Sequence, residues 1–140
     1  MSTATRVVFG LCLLVISGVA LAGPGVGAAH ARTGSEDLVN IHNIQSISLA
    51  NDGLYAPSLD SLVNGEFGLA VTFRVDSEVA YMINADRSHY LAATILPSGG
   101  VVVRSDESGP IVCAEYTAEC IAQVTADAEL LAASPHWVSF

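Results

Sequence analysis

The sequence predicts an α+β fold: an N-terminal helix packed on a roughly four-stranded antiparallel meander, then a disulfide-closed C-terminal region and a short C-terminal helix. Three observations predict it. Apolar residues recur at three-to-four spacing from Leu38 to Ile47, apolar residues alternate at spacing two from Phe67 onward, and Cys113 and Cys120 stand seven apart behind the last strand. At 140 residues the chain has room for a single domain of ordinary size.

The N-terminus has the build of an export signal. Arg6 is the only charge before an uncharged stretch from Val7 to Ala29, whose densest part runs from Val7 to Ile16. Two small-residue triplets, Ala20-Leu21-Ala22 and Ala29-His30-Ala31, offer cleavage points. A retained membrane helix competes with this reading, since the stretch reaches the roughly 20 residues that a bilayer requires. Gly23-Pro24-Gly25 favours the cleaved signal, because proline between glycines interrupts a helix. Cys12 follows Leu11 rather than a small residue, which argues against lipoprotein processing. Residues 1–31 are therefore read as signal peptide and cleavage region, and 32–140 as one exported domain. The expected location is secreted or cell-surface, with membrane anchoring only where the N-terminal segment is retained.

Thr33-Gly34-Ser35-Glu36 matches a capping box, and Asp52-Gly53 supplies a stop, so a helix is expected from about residue 35 to about residue 51. Ser58 then caps one short helix that ends at Asn64-Gly65. From Phe67 the period becomes two: Phe67, Leu69, Val71, Phe73 and Val75 fall on one face of a first strand. Val79 to Ile83 continues the alternation after a turn at Asp76-Ser77-Glu78. His89 to Leu96, apolar on both faces, forms a third strand, and Pro97-Ser98-Gly99-Gly100 turns it into Val101 to Arg104. Short turns make an antiparallel meander the economical topology, with the first helix covering its apolar face. Thr125 to Ala133 is helical in composition, and Ser134-Pro135 stops it before a tail from His136 to Phe140.

Composition excludes more functions than it selects. Five arginines and no lysine stand against 14 acids, for a net charge of −9, and the arginines are scattered singly. No cluster exists to neutralise a row of phosphates, so nucleic-acid binding is ruled out. No catalytic, cofactor or metal site is expected. His42, His89 and His136 lie on different elements and His30 at the cleavage region, none at metal-ligand spacing. There is no Gly-x-Ser-x-Gly elbow and no Ser-x-x-Lys. The acidic pairs Asp76 with Glu78 and Asp106 with Glu107 fit solvated turns, and neither matches a calcium loop.

Cys113 and Cys120 are an even pair in an exported chain, most simply a disulfide, with two buried free thiols as the alternative. A continuous helix would set them about 10.5 Å apart along its axis, whereas a disulfide needs Cα atoms within roughly 4.4 to 6.8 Å. If the bridge forms, Ala114 to Glu119 must fold back. Tyr116 inside this loop and Trp137 in the tail are the candidate partner-binding anchors, and packing onto the sheet is the competing fate of each.

Several phrases of the sequence resemble the globular domain of type IV pilins and pseudopilins. Leu49-Ala50-Asn51-Asp52-Gly53-Leu54-Tyr55-Ala56-Pro57-Ser58-Leu59-Asp60-Ser61-Leu62 is similar to the turn and short helix that follow the long pilin helix. Asp86-Arg87-Ser88-His89-Tyr90-Leu91-Ala92-Ala93-Thr94 is similar to a strand phrase of Gram-positive pilins, and Ser105-Asp106-Glu107-Ser108-Gly109 to the turn after it. The resemblance covers roughly residues 36 to 113. It implies a non-enzymatic subunit of a surface appendage or secretion apparatus. The N-terminus departs from the pattern: a prepilin carries glutamate five residues after its cleavage glycine, where this sequence has Val15 after Gly10. The fold is therefore implied more strongly than filament membership. The expected partners are proteins at the cell surface or further copies of the chain, with membrane contact only through an uncleaved N-terminus. A free secreted binding or inhibitor domain is the first alternative and a small secreted hydrolase the second.

Overall fold

The computed structural model describes residues 26–74 and 76–140, with side chains from residue 34 onward. The readings on Arg6, the apolar stretch up to residue 25, the first cleavage triplet, Gly23-Pro24-Gly25 and Val75 lie outside the described residues.

Helix α1 (Val26–Asp52) opens the fold. It ends where expected, with Gly53 at φ 71°, a left-handed conformation, donating its N–H to the Leu49 carbonyl. It begins earlier than the expected residue 35. The capping box of Thr33 and Glu36 lies within the helix, because the alanines at positions 28, 29 and 31 favour helix strongly and carry it upstream. The second expected cleavage triplet, residues 29–31, falls inside this helix. A short helix α2 (Leu59–Val63) follows, with Ser58 as its cap accepting from the Ser61 N–H and Asn64 at its end, as the sequence indicates.

The sheet comprises β1 (Glu78–Ile83), β2 (Tyr90–Ile95), β3 (Val101–Ser105), β4 (Ile111–Cys113) and β5 (Val138–Ser139). Their order across the sheet is β4-β3-β2-β1-β5, and every pairing is antiparallel. The first four form the expected meander, but shifted along the chain by one strand. The alternating segment from Phe67 is not a strand. Turns through Gly65 and Gly68, both at positive φ, precede it, and the Val71 N–H bonds to the Leu62 carbonyl rather than to a neighbouring strand. The place beside β1 is taken by the C-terminal β5, and just beyond it the Phe140 N–H donates to the Ser77 carbonyl. The apolar residues are thus buried one at a time: Val71 is 3% exposed, Phe73 packs on Phe140 at 4.6 Å between ring centres, and Leu69 is 61% exposed.

Two apolar layers sandwich the sheet. On one face Leu38, Ile41 and Ile44 of α1 and Leu59 and Leu62 of α2 pack with Val79, Tyr90, Ala92 and Val102. On the other, Ala80, Met82, Leu91, Ala93, Val101 and Val103 meet Cys120, Ile121, Val124 and Leu130 from the C-terminal region. Burial on both sides is why β2 reads as a continuous apolar run. Gly34 brings α1 against the sheet: a Cβ there would lie 2.9 to 3.0 Å from methyl groups of Thr94, Leu96 and Val102. Polar groups also fix this face. Gln45 donates to the Tyr81 hydroxyl (2.6 Å) and accepts from the Ala56 N–H (2.7 Å), while that hydroxyl donates to the Ala56 carbonyl (2.6 Å).

Candidate functional site

The C-terminal region is built around the disulfide, which is formed: Cys113 and Cys120 have Cα atoms 6.2 Å apart. Local sequence accounts for the reversal. After β4, Thr117 adopts extended backbone and its hydroxyl accepts from the Cys120 N–H at 3.1 Å, capping helix α3 (Ala118–Ile121). That short helix begins at the end of the expected loop and returns Cys120 to the end of β4. A second one, α4 (Ala128–Ala132), is capped by Asp127 and is shorter than the expected Thr125 to Ala133.

Tyr116 and Trp137, far apart in sequence, meet here. Their rings stand edge to face with centres 6.0 Å apart, and the Tyr116 hydroxyl donates to Met82 Sδ at 3.2 Å. Both are half-buried against the sheet face opposite α1. Burial pushes the Tyr116 hydroxyl up to about 12. What the loop offers outward is different: Val112, 55% exposed, with Glu115 and Glu119 beside the disulfide, around an open groove of about 390 Å³. No strand is expected from the sequence after Arg104, so Val112 is not singled out there; it is exposed because β4 is an edge strand of three residues.

The fold also joins groups that the sequence keeps apart. His89 Nδ1 lies 2.7 Å from Asp106 Oδ2 and 3.5 Å from Glu107 Oε1, at the end of the sheet where β2 begins and β3 ends. The second Asp106 oxygen accepts from the Tyr90 N–H. Hydrogen bonding to the Asp106 carboxylate raises the His89 imidazole above its ordinary value, against a smaller lowering by desolvation, with the charges of Asp106, Glu107 and Asp127 adding to the rise. Among the described residues this trio is the one group whose His and carboxylate atoms stand close enough to share a metal ion. Nearby, His42 Nδ1 and the Tyr90 hydroxyl are 2.7 Å apart beneath α1, and desolvation, helped by the Arg104 charge, lowers the His42 pKa against a smaller opposing pull from Asp106. A neutral His42 sharing that hydrogen bond with the Tyr90 hydroxyl fits a structural role. His136 stands apart from both, beside the β5 edge.

No protein-family model, curated protein or solved structure matches the chain.

Proposed function

We propose that this chain is a non-enzymatic, exported structural or interaction subunit of pilin or pseudopilin type, working in a surface appendage or secretion apparatus. The observation that carries the reading is the mismatch between α1 and the sheet beneath it. A helix of 27 residues is about 40 Å long, while strands of six residues are about 20 Å. Among the residues whose burial is described, α1 packs on the sheet from Gly34 to Ser48, about 21 Å, and is exposed beyond it. A helix that only had to cap this sheet would need about half those residues. The last turn of α1, from Leu49 to Asp52, is exposed and available to contacts outside the domain. A disulfide-closed C-terminal region supports the reading further, since such bonds persist in oxidising compartments outside the cytosol. Among the described residues no helix is long and apolar enough to cross a membrane, so any anchoring in this reading falls to residues before Val26.

The test is intact mass and N-terminal sequencing of the chain from its native host, taken separately from medium and from the membrane or sheared surface fraction. A surface-bound chain that keeps residues upstream of Val26 is the expected result. A soluble chain beginning at Arg32 in the medium would overturn it, because processing there removes the first six residues of α1. That outcome would favour a free secreted binding domain, whose supporting observation is the acidic groove over Cys113–Cys120 with Val112 at its rim.

A further inference from the structure

The segment Leu69–Arg74 is strand-like in sequence, begins at a bend and is neither helix nor strand in the structure, so it belongs to no sheet. Among its backbone N–H groups only that of Val71 has a backbone partner among the described residues, the Leu62 carbonyl. Ala70, Thr72 and Arg74 are exposed or nearly so, and Leu69 projects a large apolar group into water.

The molecule also has an open sheet edge. β5 pairs with β1 only at Glu78 and Val79. The ladder between β1 and β2 ends in the bond from the Asn84 N–H to the His89 carbonyl, so alternation turns the backbone groups of Val79, Tyr81 and Ile83 away from β2. Val79 is met by β5. Tyr81 and Ile83 are not, because the chain reaches β5 past Pro135 and pairs only from Val138. Beside these two residues runs a groove of about 340 Å³, walled by Leu59 and Asp60 of α2 on one side and by His136 and Val138 on the other.

We propose that Leu69–Arg74 of one copy adds as a strand to the open β1 edge at Tyr81–Ile83 of a second copy, seating Leu69 in this groove. Strand addition supplies partners to backbone groups on both sides and covers an apolar side chain. Charge favours the same pairing. The donor segment from Phe67 to Arg74 carries one arginine and no acid, whereas the acceptor edge carries Asp60 and Glu78. Arg74 already meets Glu36 at 3.0 Å, but both are well exposed, and such pairs bind weakly enough to leave the arginine available. In a chain of net charge −9, most approaches between copies repel, and this one attracts.

The contact rests on the reading of the chain as an assembling subunit, and the two fail separately. The test uses the full-length chain in mild detergent, as two variants, Leu69→Cys and Ile83→Cys, mixed in equal amounts and gently oxidised. Peptide mapping then counts the linkage between positions 69 and 83, with Cys12 of the parent chain giving the background. The expected result is a 69-to-83 linkage at least tenfold above that background. Linkage no greater than the parent's, or linkage of position 69 to itself in the Leu69→Cys variant alone, overturns the proposal. As a second measurement, Leu69→Asp should weaken self-association at least tenfold in sedimentation while the fold is kept. Association equal to the parent's refutes it. A chain found soluble in the medium that still cross-links would sink the structural-subunit reading and leave this contact standing. A surface-bound chain that does not cross-link would do the reverse.

Discussion

Substitution with aspartate at three neighbouring positions separates the observed course of residues 69–72 from the strand that their pattern suggests. In a strand, Leu69 and Val71 share a face, so Leu69→Asp and Val71→Asp would be comparably severe and Thr72→Asp mild. In the structure only Val71 is buried, at 3% exposure against 61% for Leu69. Removing the valine side chain from the core forfeits about 1.5 to 3 kcal/mol of burial. Leaving a carboxyl group there without a partner adds about 1 to 3 kcal/mol. The total, about 3 to 6 kcal/mol, is a large fraction of the roughly 5 to 15 kcal/mol that holds a domain of this size together. At about 4 °C per kcal/mol, Val71→Asp should lower the melting temperature by about 12 to 24 °C or prevent folding. Leu69→Asp and Thr72→Asp should each stay within about 0.5 kcal/mol, or about 2 °C, in dilute solution. Thermal unfolding followed by circular dichroism reads all three. A Leu69→Asp melting temperature as low as that of Val71→Asp would refute the reasoning and restore the strand.

Cys113→Ser opens a ring of seven residues' separation and should cost about 2 to 3 kcal/mol in non-reducing buffer, with the parent in reductant melting like the variant. Identical curves in all three samples would show the bond to be idle. Tyr81→Phe leaves the Ala56 carbonyl and one Gln45 N–H without their partner, so a loss of about 1 to 3 kcal/mol is expected, and an unchanged denaturation midpoint would contradict the network. His89 at the sheet end and His42 on α1 should oppose each other in pH titrations of stability. His89, raised in the folded state, stabilises fully below its unfolded value near 6.5, and that contribution fades as the pH climbs through its folded value; His89→Gln should remove it. His42, lowered by burial, costs stability as the pH falls below about 6.5, and His42→Gln should flatten that acid limb; stability curves that neither variant alters would refute both assignments.

The parts of the fold that the sequence announces are those decided locally. The stop at Gly53 needs only a residue that tolerates positive φ, and the Ser58 cap needs only a hydroxyl three residues before an N–H. Tyr90 to Ile95 is buried on both faces, and its unbroken apolar run says so. The start of α1 was missed because a capping box is a local preference of about 1 kcal/mol, and three good helix formers upstream outweigh it. The segment from Phe67 was missed for a non-local reason. Period two requires a pleated backbone but does not supply a neighbour, and the neighbour's place is held by Val138 and Ser139, some 65 residues further on. Nothing in the sequence between Phe67 and Phe73 records that the C-terminus will arrive there first.

The same distinction explains the candidate site. The disulfide could be argued from two cysteines and the length of chain between them, since its constraint is nearly local. The meeting of Tyr116 with Trp137, and of His89 with Asp106 and Glu107, depends on how the meander stacks its ends, which spacing does not encode. The misread strand then becomes informative. A strand-like pattern in a segment that the fold leaves outside the sheet points to a neighbour on another copy. The unfilled length of β1 beyond Val79 is a neighbour of the required kind. The proposed self-association through that edge would cover the exposed Leu69 and fill the length of β1 that β5, pairing only from Val138, leaves open.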